Sequence, residues 1–238
     1  MTIINNERFV YSNRELPKVT LITIDGVGDK SNEISTVIDI CTKKLNFGEV
    51  VRITTDHKLQ NSENYTKYNI DKLTYPQFNA FCISKLTNYV KTEFALIVQT
   101  DGYVCQPNNW SNSFYDYDYI GCPWVDAGPG YFPWVTEPKY QVGCGGFCLR
   151  SKKLMDACAA IDNNLVNELT HRGAGEDVAI CVSFRDYLES SGCKFPSGEF
   201  AKTFALGSAP VTIEQLRNTF GFHNGTYIPM VDEIIKSW

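Results

Sequence analysis

Apolar residues in the first quarter of the chain alternate between strand-like runs and a helix-like stripe. The run "KVTLITI" at 18–24 is typical of a buried strand, and "EVVRIT" at 49–54 is a second candidate strand. Between them, apolar positions recur at helical spacing, namely Ile34, Val37, Ile38, Cys41 and Leu45. Strand, helix and strand in this order predict a βαβ unit with parallel strands and a right-handed crossover.

A third strand is predicted further along, and it ends on a carboxylate. Residues 56–74 are polar and predict a loop with short structure, after which Pro76 opens a helix in the position that proline fits best. The stretch "LIVQTDGYV" at 96–104 then predicts a buried strand ending at Asp101 and Gly102. Because ligands of α/β proteins bind at the carboxyl ends of strands, Asp101 is a candidate for a metal, a sugar hydroxyl or a proton. The alternative is an ordinary Asp-Gly turn.

The composition changes between about residues 103 and 145, where aromatic residues, glycine, proline and asparagine crowd together. This segment predicts loops and short strands. Rings beside acids and amides suit the walls of a sugar site, although the same rings would also suit a core. The rings in question include Trp110, Tyr117, Tyr119, Trp124 and Trp134.

Four further segments in the second half carry structural predictions. "GGFCLRS" indicates a short strand that enters a helix at Ser151, and "GEDVAICVSFRDYL" indicates a helix with Glu176 and Asp177 at its N-terminus. "KTFALG" is predicted as a strand and "FGFHNG" as a turn-rich segment. No repeat or linker is apparent, so a single α/β domain is the simplest interpretation.

Bulk composition excludes several classes of function. The net charge of −5 over 238 residues argues against nucleic-acid or anionic-membrane partners. No apolar run reaches about 18 residues, so no membrane span is expected. The first residues lack the apolar core of a secretory leader, which favours a cytoplasmic protein. Nine scattered cysteines, with Cys144 and Cys148 as one close pair, fit buried thiols better than structural zinc.

Two further groups carry candidate chemistry. Glu176 and Asp177 either offset the helix dipole or supply a general base that takes a proton from an attacking hydroxyl. His223 is one of three histidines and lies between aromatic residues and glycines. It is either a packed histidine or a divalent-metal ligand that pairs with Asp101. His57 and His171 lie in polar contexts, and neither is assigned a role.

Five segments occur together in one order: "VQTDGYV", "YDYIGCPW", "GGFCLRS", "GEDVAIC" and "FGFHNG". This ordered set, from about Val19 to about Gly225, resembles a poorly characterised family of glycosyltransferase-like proteins in the GT-A class of nucleotide-sugar transferases. It is most similar to the inverting galactosyltransferase type. The resemblance implies one GT-A, Rossmann-like α/β domain with a mixed, mainly parallel sheet. It also implies a nucleotide-binding half at 1–104 and an acceptor-binding half at 105–238.

The resemblance also implies roles for individual residues. Asp101 and His223 would bind Mn²⁺ or Mg²⁺ together with the diphosphate, Asp177 would be the base, and Glu176 is the next candidate for it. The implied donor-binding residues are Thr23, Asp25, Gln99, Asp101 and Gly102, with the segment Thr23 to Asp25 beside uracil and ribose. The implied acceptor- and sugar-binding residues are Trp124, Gly145, Gly146 and Phe147. Arg150 is expected either to meet phosphate or to be structural.

Two residues depart from the family pattern. Gln99 stands where the first aspartate of Asp-x-Asp is expected, so the metal site has one carboxylate fewer. Cys144 stands where a polar amide is expected. The favoured function is transfer of a sugar from a nucleotide-sugar, of the UDP type, to a glycan or other hydroxyl acceptor, with a metal and with inversion. The alternatives are a non-catalytic sugar- or nucleotide-binding protein of the same fold and a metal-dependent hydrolase.

Overall fold

A central β-sheet organises the protein, whose computed structural model describes residues 13–27 and 31–238. Within these residues the sheet has six strands in the order β3-β2-β1-β4-β6-β5. The strands are β1 Arg14–Asp25, β2 Leu45–Thr54, β3 Thr66–Asn69, β4 Phe94–Val98, β5 Tyr119–Ile120 and β6 Phe147–Ser151. A small parallel pair, β7 Ala205–Leu206 and β8 Gly221–Phe222, lies apart from this sheet.

The strand pairing confirms the predicted mixed, mainly parallel α/β sheet. Strand β1 is parallel to β2 and β4, and β3 is parallel to β2. Strand β6 is antiparallel to β4, and β5 is antiparallel to β6. Five of the six strands therefore run in one direction, and β6 runs against them. The sheet combines strands from both halves of the chain.

Helices pack around this sheet. They are α1 Ser31–Thr42, α2 Tyr75–Ser84, α3 Lys152–Ala159, α4 Asn163–His171, α5 Glu176–Val178, α6 Arg185–Ser190, α7 Gly198–Phe204, α8 Ile213–Arg217 and α9 Ile228–Ile235. A π turn, Ala179–Ser183, joins α5 to α6. Among the residues that the structure describes, no helix has the length and apolarity needed to cross a membrane.

Local sequence explains where several elements begin. Helix α1 joins the parallel strands β1 and β2, as the predicted βαβ unit requires. Helix α2 is capped by Thr74, which forms a reciprocal capping box with Gln77, and Pro76 lies in its first turn. Ser151 ends β6 and caps α3 by accepting the N–H of Leu154 at 3.0 Å. The predicted change from strand to helix at Ser151 is thus confirmed.

Some predicted elements were wrong or were missed. Leu45 begins β2 and does not close the stripe of α1. The polar stretch 56–74 contains the edge strand β3, whose residues are exposed or half-buried and so carry no apolar signal. The first three residues of "KTFALG" are helical, because they belong to α7, which Ser197 caps, and only the two residues of β7 are extended. Helices α4, α8 and α9 had no counterpart in the prediction.

The aromatic-rich segment contributes largely to the core. Trp110, Phe114 and Tyr119 are buried, and Trp110 makes edge-to-face contacts with Phe114 at 5.4 Å and with Phe220 at 5.1 Å. Such contacts add to the stability that comes from burying apolar area. Of the two predicted roles for the aromatic residues, core or wall of a sugar site, the buried rings of Trp110 and Tyr119 therefore have the first.

Trp124 shows why glycines are interspersed in this segment. Its ring is 2% exposed and stacks on Phe132 at a centroid distance of 5.2 Å. The backbone of Gly143 passes so close that an added Cβ would lie 1.7 Å from Trp124 Cζ2. A side chain at Gly143 would therefore displace the ring.

Replacing Gly143 with alanine should destabilise the fold strongly. We expect Gly143→Ala to lower the free energy of unfolding by at least about 2 kcal/mol, because overpacking forces the Trp124 ring out of place. Urea denaturation followed by tryptophan fluorescence measures this change. The matched control is Gly130→Ala, where an added Cβ meets nothing within 4 Å. This control should change stability by less than about 0.5 kcal/mol. Equal effects of the two variants would contradict the placement of Trp124.

Candidate active site

A cleft of about 280 Å³ opens at the carboxyl ends of β1 and β4. From β1 the chain adds β2 on one side, while β4 lies on the other side. Such a switch point is where ligands bind in open α/β sheets. The lining of the cleft includes Asp25, Tyr75, Phe78, Gln99 and Asp101. Three of the predicted donor residues therefore share one cleft.

The end of β1 forms one wall of the cleft. Asp25 is nearly buried, and its Oδ2 accepts a hydrogen bond from Thr54 Oγ1 at 3.3 Å. Thr23 lies two residues earlier on the same face of the strand and is fully buried. The register pairs Thr23 with Arg52 of β2 and with Val98 of β4. Asp25 therefore faces the cleft, and Thr23 lies behind it.

The end of β4 forms a tight turn that presents Asp101. The backbone N–H of Gln99 donates to Gly102 O at 2.9 Å, and the N–H of Gly102 donates to Gln99 O at 3.1 Å. The Asp101 side chain is 47% exposed. The backbone carbonyl of Asp101 accepts the N–H of Asn224 at 2.9 Å. A Cβ on Gly102 would lie 2.7 Å from His223 Cδ2. Gly102 thus allows the turn to meet the histidine.

His223 follows β8 and lies directly beside this turn. Its Nε2 is 3.6 Å from Asp101 Oδ1, and its Nδ1 is 3.1 Å from Cys144 Sγ. Burial alone would lower the pKa of the imidazole, but the contact with Cys144 and the charges of Asp101 and Asp177 raise that pKa above its usual value. Contact with Cys122 and burial raise the pKa of Cys144 well above its usual range, although the neighbouring His223 opposes this shift.

The loop before β6 brings the acidic pair to the same place. Asp177 Oδ2 accepts the backbone N–H of Cys144 at 3.1 Å and of Gly145 at 3.3 Å. Asp177 is half-buried, and its Oδ1 accepts the N–H of Val178 at 2.9 Å. Cys144 itself adopts a left-handed conformation with φ of 71°. Asp177 is therefore held against the loop by two hydrogen bonds.

Glu176 occupies a different environment from Asp177. It is buried, and its Oε2 is 3.0 Å from the guanidinium Nη2 of buried Arg150. Burial raises the pKa of Glu176 to about 7, although Arg150 opposes this shift. A Cβ on Gly145 would lie 1.8 Å from Glu176 Oε1, so the loop backbone rests on the carboxylate. Arg150 is therefore buried beneath the loop and paired with Glu176.

The residues present fit a weak divalent-metal site. Neighbouring ligand atoms about 2.1 Å from one octahedral ion lie roughly 3 Å apart, so a small closure brings Asp101 Oδ1 and His223 Nε2 into range. Gln99 Oε1 lies near the imidazole, because a Cβ on Gly146 would be 2.7 Å from Gln99 Oε1 and 2.1 Å from His223 Nε2. Within 13–27 and 31–238, no group of three His, Cys, Asp or Glu side chains is arranged to hold a metal. Further ligands would have to come from diphosphate or water.

The predicted acceptor residues divide into two groups. Gly145 and Gly146 lie at the site, against Glu176 and His223. Trp124 and Phe147 are buried in the core and do not line the cleft. Phe147 packs on the backbone of Gly221, where an added Cβ would lie 2.2 Å from the ring. Any effect of these two rings on a ligand would act through the glycines that they support.

Sequence reasoning missed some residues of the cleft. Tyr75 is 57% exposed on the rim, and Val27 is also exposed there. Asn79 accepts the N–H of Glu176 at 3.0 Å and so fixes the start of α5. The signal for Tyr75 was an aromatic residue just before the helix-opening proline, outside the buried stripe of α2. The signal for Asn79 was a polar residue within that apolar helix.

Comparison with known proteins places the fold and the family. One solved structure with a similar fold is the crystal structure of a glycosyltransferase involved in the glycosylation of the major capsid of PBCV-1, with a TM-score of 0.51 and 13% sequence identity. The similarity covers 92% of this chain and 99% of that one, which supports a GT-A-like fold. No curated protein matches the chain. Residues 49–223 match the family described as "Protein of unknown function (DUF5672)", and the chain belongs to that family.

Proposed function

We propose that this protein is a glycosyltransferase that moves a sugar from a nucleotide-sugar of the UDP type to a hydroxyl group of a glycan or similar acceptor. One observation carries the proposal. Asp101, Gln99 and His223 converge at the carboxyl end of β4, while Asp177 lies at the same glycine loop. One charged group near a leaving diphosphate and one near an attacking hydroxyl are the two needs of this reaction.

The donor nucleotide would occupy the cleft between β1 and β4. Tyr75 and Phe78 on its wall offer aromatic faces to a base, and aromatic stacking of bases is favourable by roughly 1 to 3 kcal/mol. Asp25 lies opposite and can accept an N–H from the base or a ribose hydroxyl. The diphosphate would then lie towards Asp101. The enclosed Arg150 is given no role in this binding.

Asp101 and His223 would hold Mn²⁺ or Mg²⁺, with the amide oxygen of Gln99 near the imidazole. When bound, such an ion neutralises the charge that develops on the leaving diphosphate. Gln99 supplies an oxygen without a charge. We therefore expect a metal affinity that depends strongly on the diphosphate itself.

Asp177 is the carboxylate best suited to act as base. Its Oδ2 is oriented by the N–H groups of Cys144 and Gly145, and it remains partly open to solvent. It would take the proton of the acceptor hydroxyl as that oxygen attacks the anomeric carbon from the side opposite the diphosphate, which gives inversion. Glu176 is the weaker candidate because it is buried beneath Gly145.

Nucleotide binding can be measured without knowledge of the acceptor. We expect UDP or a UDP-sugar to raise the thermal unfolding midpoint, and Mn²⁺ to increase this rise, because a ligand that binds the native state stabilises it by mass action. Asp101→Asn should remove most of the metal-dependent rise. Asp116→Asn, at an exposed aspartate outside the cleft, is the matched control and should leave it unchanged. Failure of every nucleotide tested to shift the midpoint would argue against the proposed donor.

Removal of the imidazole should weaken the metal site. We expect His223→Ala to reduce Mn²⁺-dependent UDP binding by at least about tenfold, since a ligand is lost. Isothermal titration calorimetry with and without Mn²⁺ separates this effect from binding of the nucleotide alone. His57→Ala is the control, because His57 is exposed and lies outside the cleft lining. Unchanged binding in His223→Ala would exclude His223 from the metal site.

Substitution of the proposed base should separate binding from chemistry. The side-chain amide oxygen that Asp177→Asn introduces can still accept the N–H groups of the loop, so we expect the fold and UDP binding to persist. Transfer, followed as UDP release from a UDP-sugar with an acceptor library, should fall by about 10² to 10⁴. Asp186→Asn, at an exposed residue of α6, is the control. Near-normal turnover in Asp177→Asn would be incompatible with its role as base.

The same assay addresses the non-catalytic alternative. A native protein that binds UDP tightly but releases none from any UDP-sugar, with or without acceptors, would favour a binding protein of the same fold. Native turnover that is lost in Asp177→Asn and kept in Asp186→Asn favours the transferase.

A further inference from the structure

Cys144 has an unusual backbone conformation for its residue type. Its φ of 71° lies in the left-handed region, and among the described residues it alone has this geometry without being glycine. That conformation costs roughly 1 to 2 kcal/mol for a residue with a Cβ. It persists only where the surroundings fix it, and such residues concentrate at functional sites.

Several contacts fix Cys144 in this conformation. The Asp177 carboxylate binds its N–H and the N–H of Gly145. The neighbouring glycines are closed in by the Trp124 ring on one side and by the Glu176 carboxylate on the other. The loop therefore has little freedom, and the direction of the Cys144 side chain is determined by it.

The thiol is directed at the histidine of the proposed metal site. Cys144 Sγ is 3.1 Å from His223 Nδ1, while Nε2 on the opposite side of the ring faces Asp101 at 3.6 Å. A metal-binding histidine usually donates its second ring N–H to a partner that fixes its tautomer and orientation. A neutral thiol sulfur can accept such a hydrogen bond, although weakly.

We propose that Cys144 is a positioning residue: its sulfur accepts the Nδ1–H of the neutral His223 imidazole, which leaves the Nε2 lone pair for the ion and keeps Nε2 on the side of the ring that faces Asp101. This inference rests on the proposed function, because it assigns the orientation of a metal ligand. It also links the two ends of the site. Asp177 holds the backbone of Cys144, and the Cys144 side chain holds His223.

A matched pair of substitutions tests this role. Cys144→Ala and Cys144→Ser share the same backbone strain, but only serine keeps a hydrogen-bond acceptor. We expect Cys144→Ala to weaken Mn²⁺ binding in the presence of UDP by at least about tenfold. Cys144→Ser should stay within about threefold of the native protein. Electron paramagnetic resonance of free Mn²⁺ measures both. Cys193→Ala, at another buried cysteine away from the cleft, controls for the loss of a buried thiol.

A second readout needs no metal. Long-range ¹H–¹⁵N correlation spectra at alkaline pH, where the imidazole is neutral, report which ring nitrogen carries the proton. We expect the Nδ1–H tautomer of His223 in the native protein and in Cys144→Ser, and a shift towards Nε2–H in Cys144→Ala. The chain has three histidines, so the spectrum of His223→Ala assigns the signal.

The outcomes separate this inference from the proposed function. Native-like Mn²⁺ binding and an unchanged tautomer in Cys144→Ala would overturn the positioning role. Equal weakening in the alanine and serine variants would also overturn it, because packing and not the acceptor would then be the cause. If the native protein binds neither Mn²⁺ nor UDP, the proposed function fails. The tautomer then decides the Cys144 contact alone, and Nδ1–H retained in Cys144→Ala refutes it.

Discussion

The buried ion pair between Arg150 and Glu176 is the interaction on which the site depends. Two charges removed from water are costly unless they are paired and hydrogen-bonded. Here Arg150 Nη1 also donates to Cys82 O at 3.3 Å, and its guanidinium lies 5.4 Å from the centre of the Tyr119 ring. The pair therefore joins β6, β5, α2 and α5 beneath the loop that contains Cys144 and Gly145. Loss of either partner would leave a buried charge directly under Gly145.

The glycines above this pair decide how closely the elements meet. Gly143 fits against the Trp124 ring, Gly145 against Glu176, and Gly146 between His223 and Gln99. At each of these glycines an added Cβ would lie within 2.1 Å of the neighbouring group, so no other residue fits without displacing it. Backbone and functional groups are thereby held together by rigid neighbours, which is how a site retains a fixed geometry before its ligand arrives. The proposed metal ligands Asp101 and His223 are supported from behind by this packing.

The parts of the fold that could be predicted are those with a long or continuous pattern. Strands β1, β2 and β4 are apolar runs, and α1 shows helical spacing, so their order alone predicted the parallel unit. Asp101 was identified because it follows such a strand closely, although β4 ends at Val98 and not at Asp101 as predicted. Helices α4, α8 and α9 are short and were missed, as was the polar edge strand β3.

The contacts that define the site could not be predicted in the same way. Cys144 and His223 are 79 residues apart in the chain, and no periodic pattern relates them. The aromatic segment was ambiguous for a different reason, since rings beside glycine and proline fit a core and a sugar wall equally well by composition. The burial of Trp124 and the close approach of Gly143 separate these two possibilities for that ring.

The π turn Ala179–Ser183 has a consequence for how this helix can vary in length. Phe184 N–H bonds to Ala179 O at 2.8 Å, five residues back, so the turn holds one residue more than an α-helix would. Successive residues of an α-helix are related by a rotation of about 100° around the helix axis. If the chain were one residue shorter here, α6 would be rotated relative to α5. Glu176 could then not pair with Arg150 while Leu188 of α6 remains buried in the core. The extra residue thus lets the acidic pair and the hydrophobic face of α6 each follow its own geometric requirement.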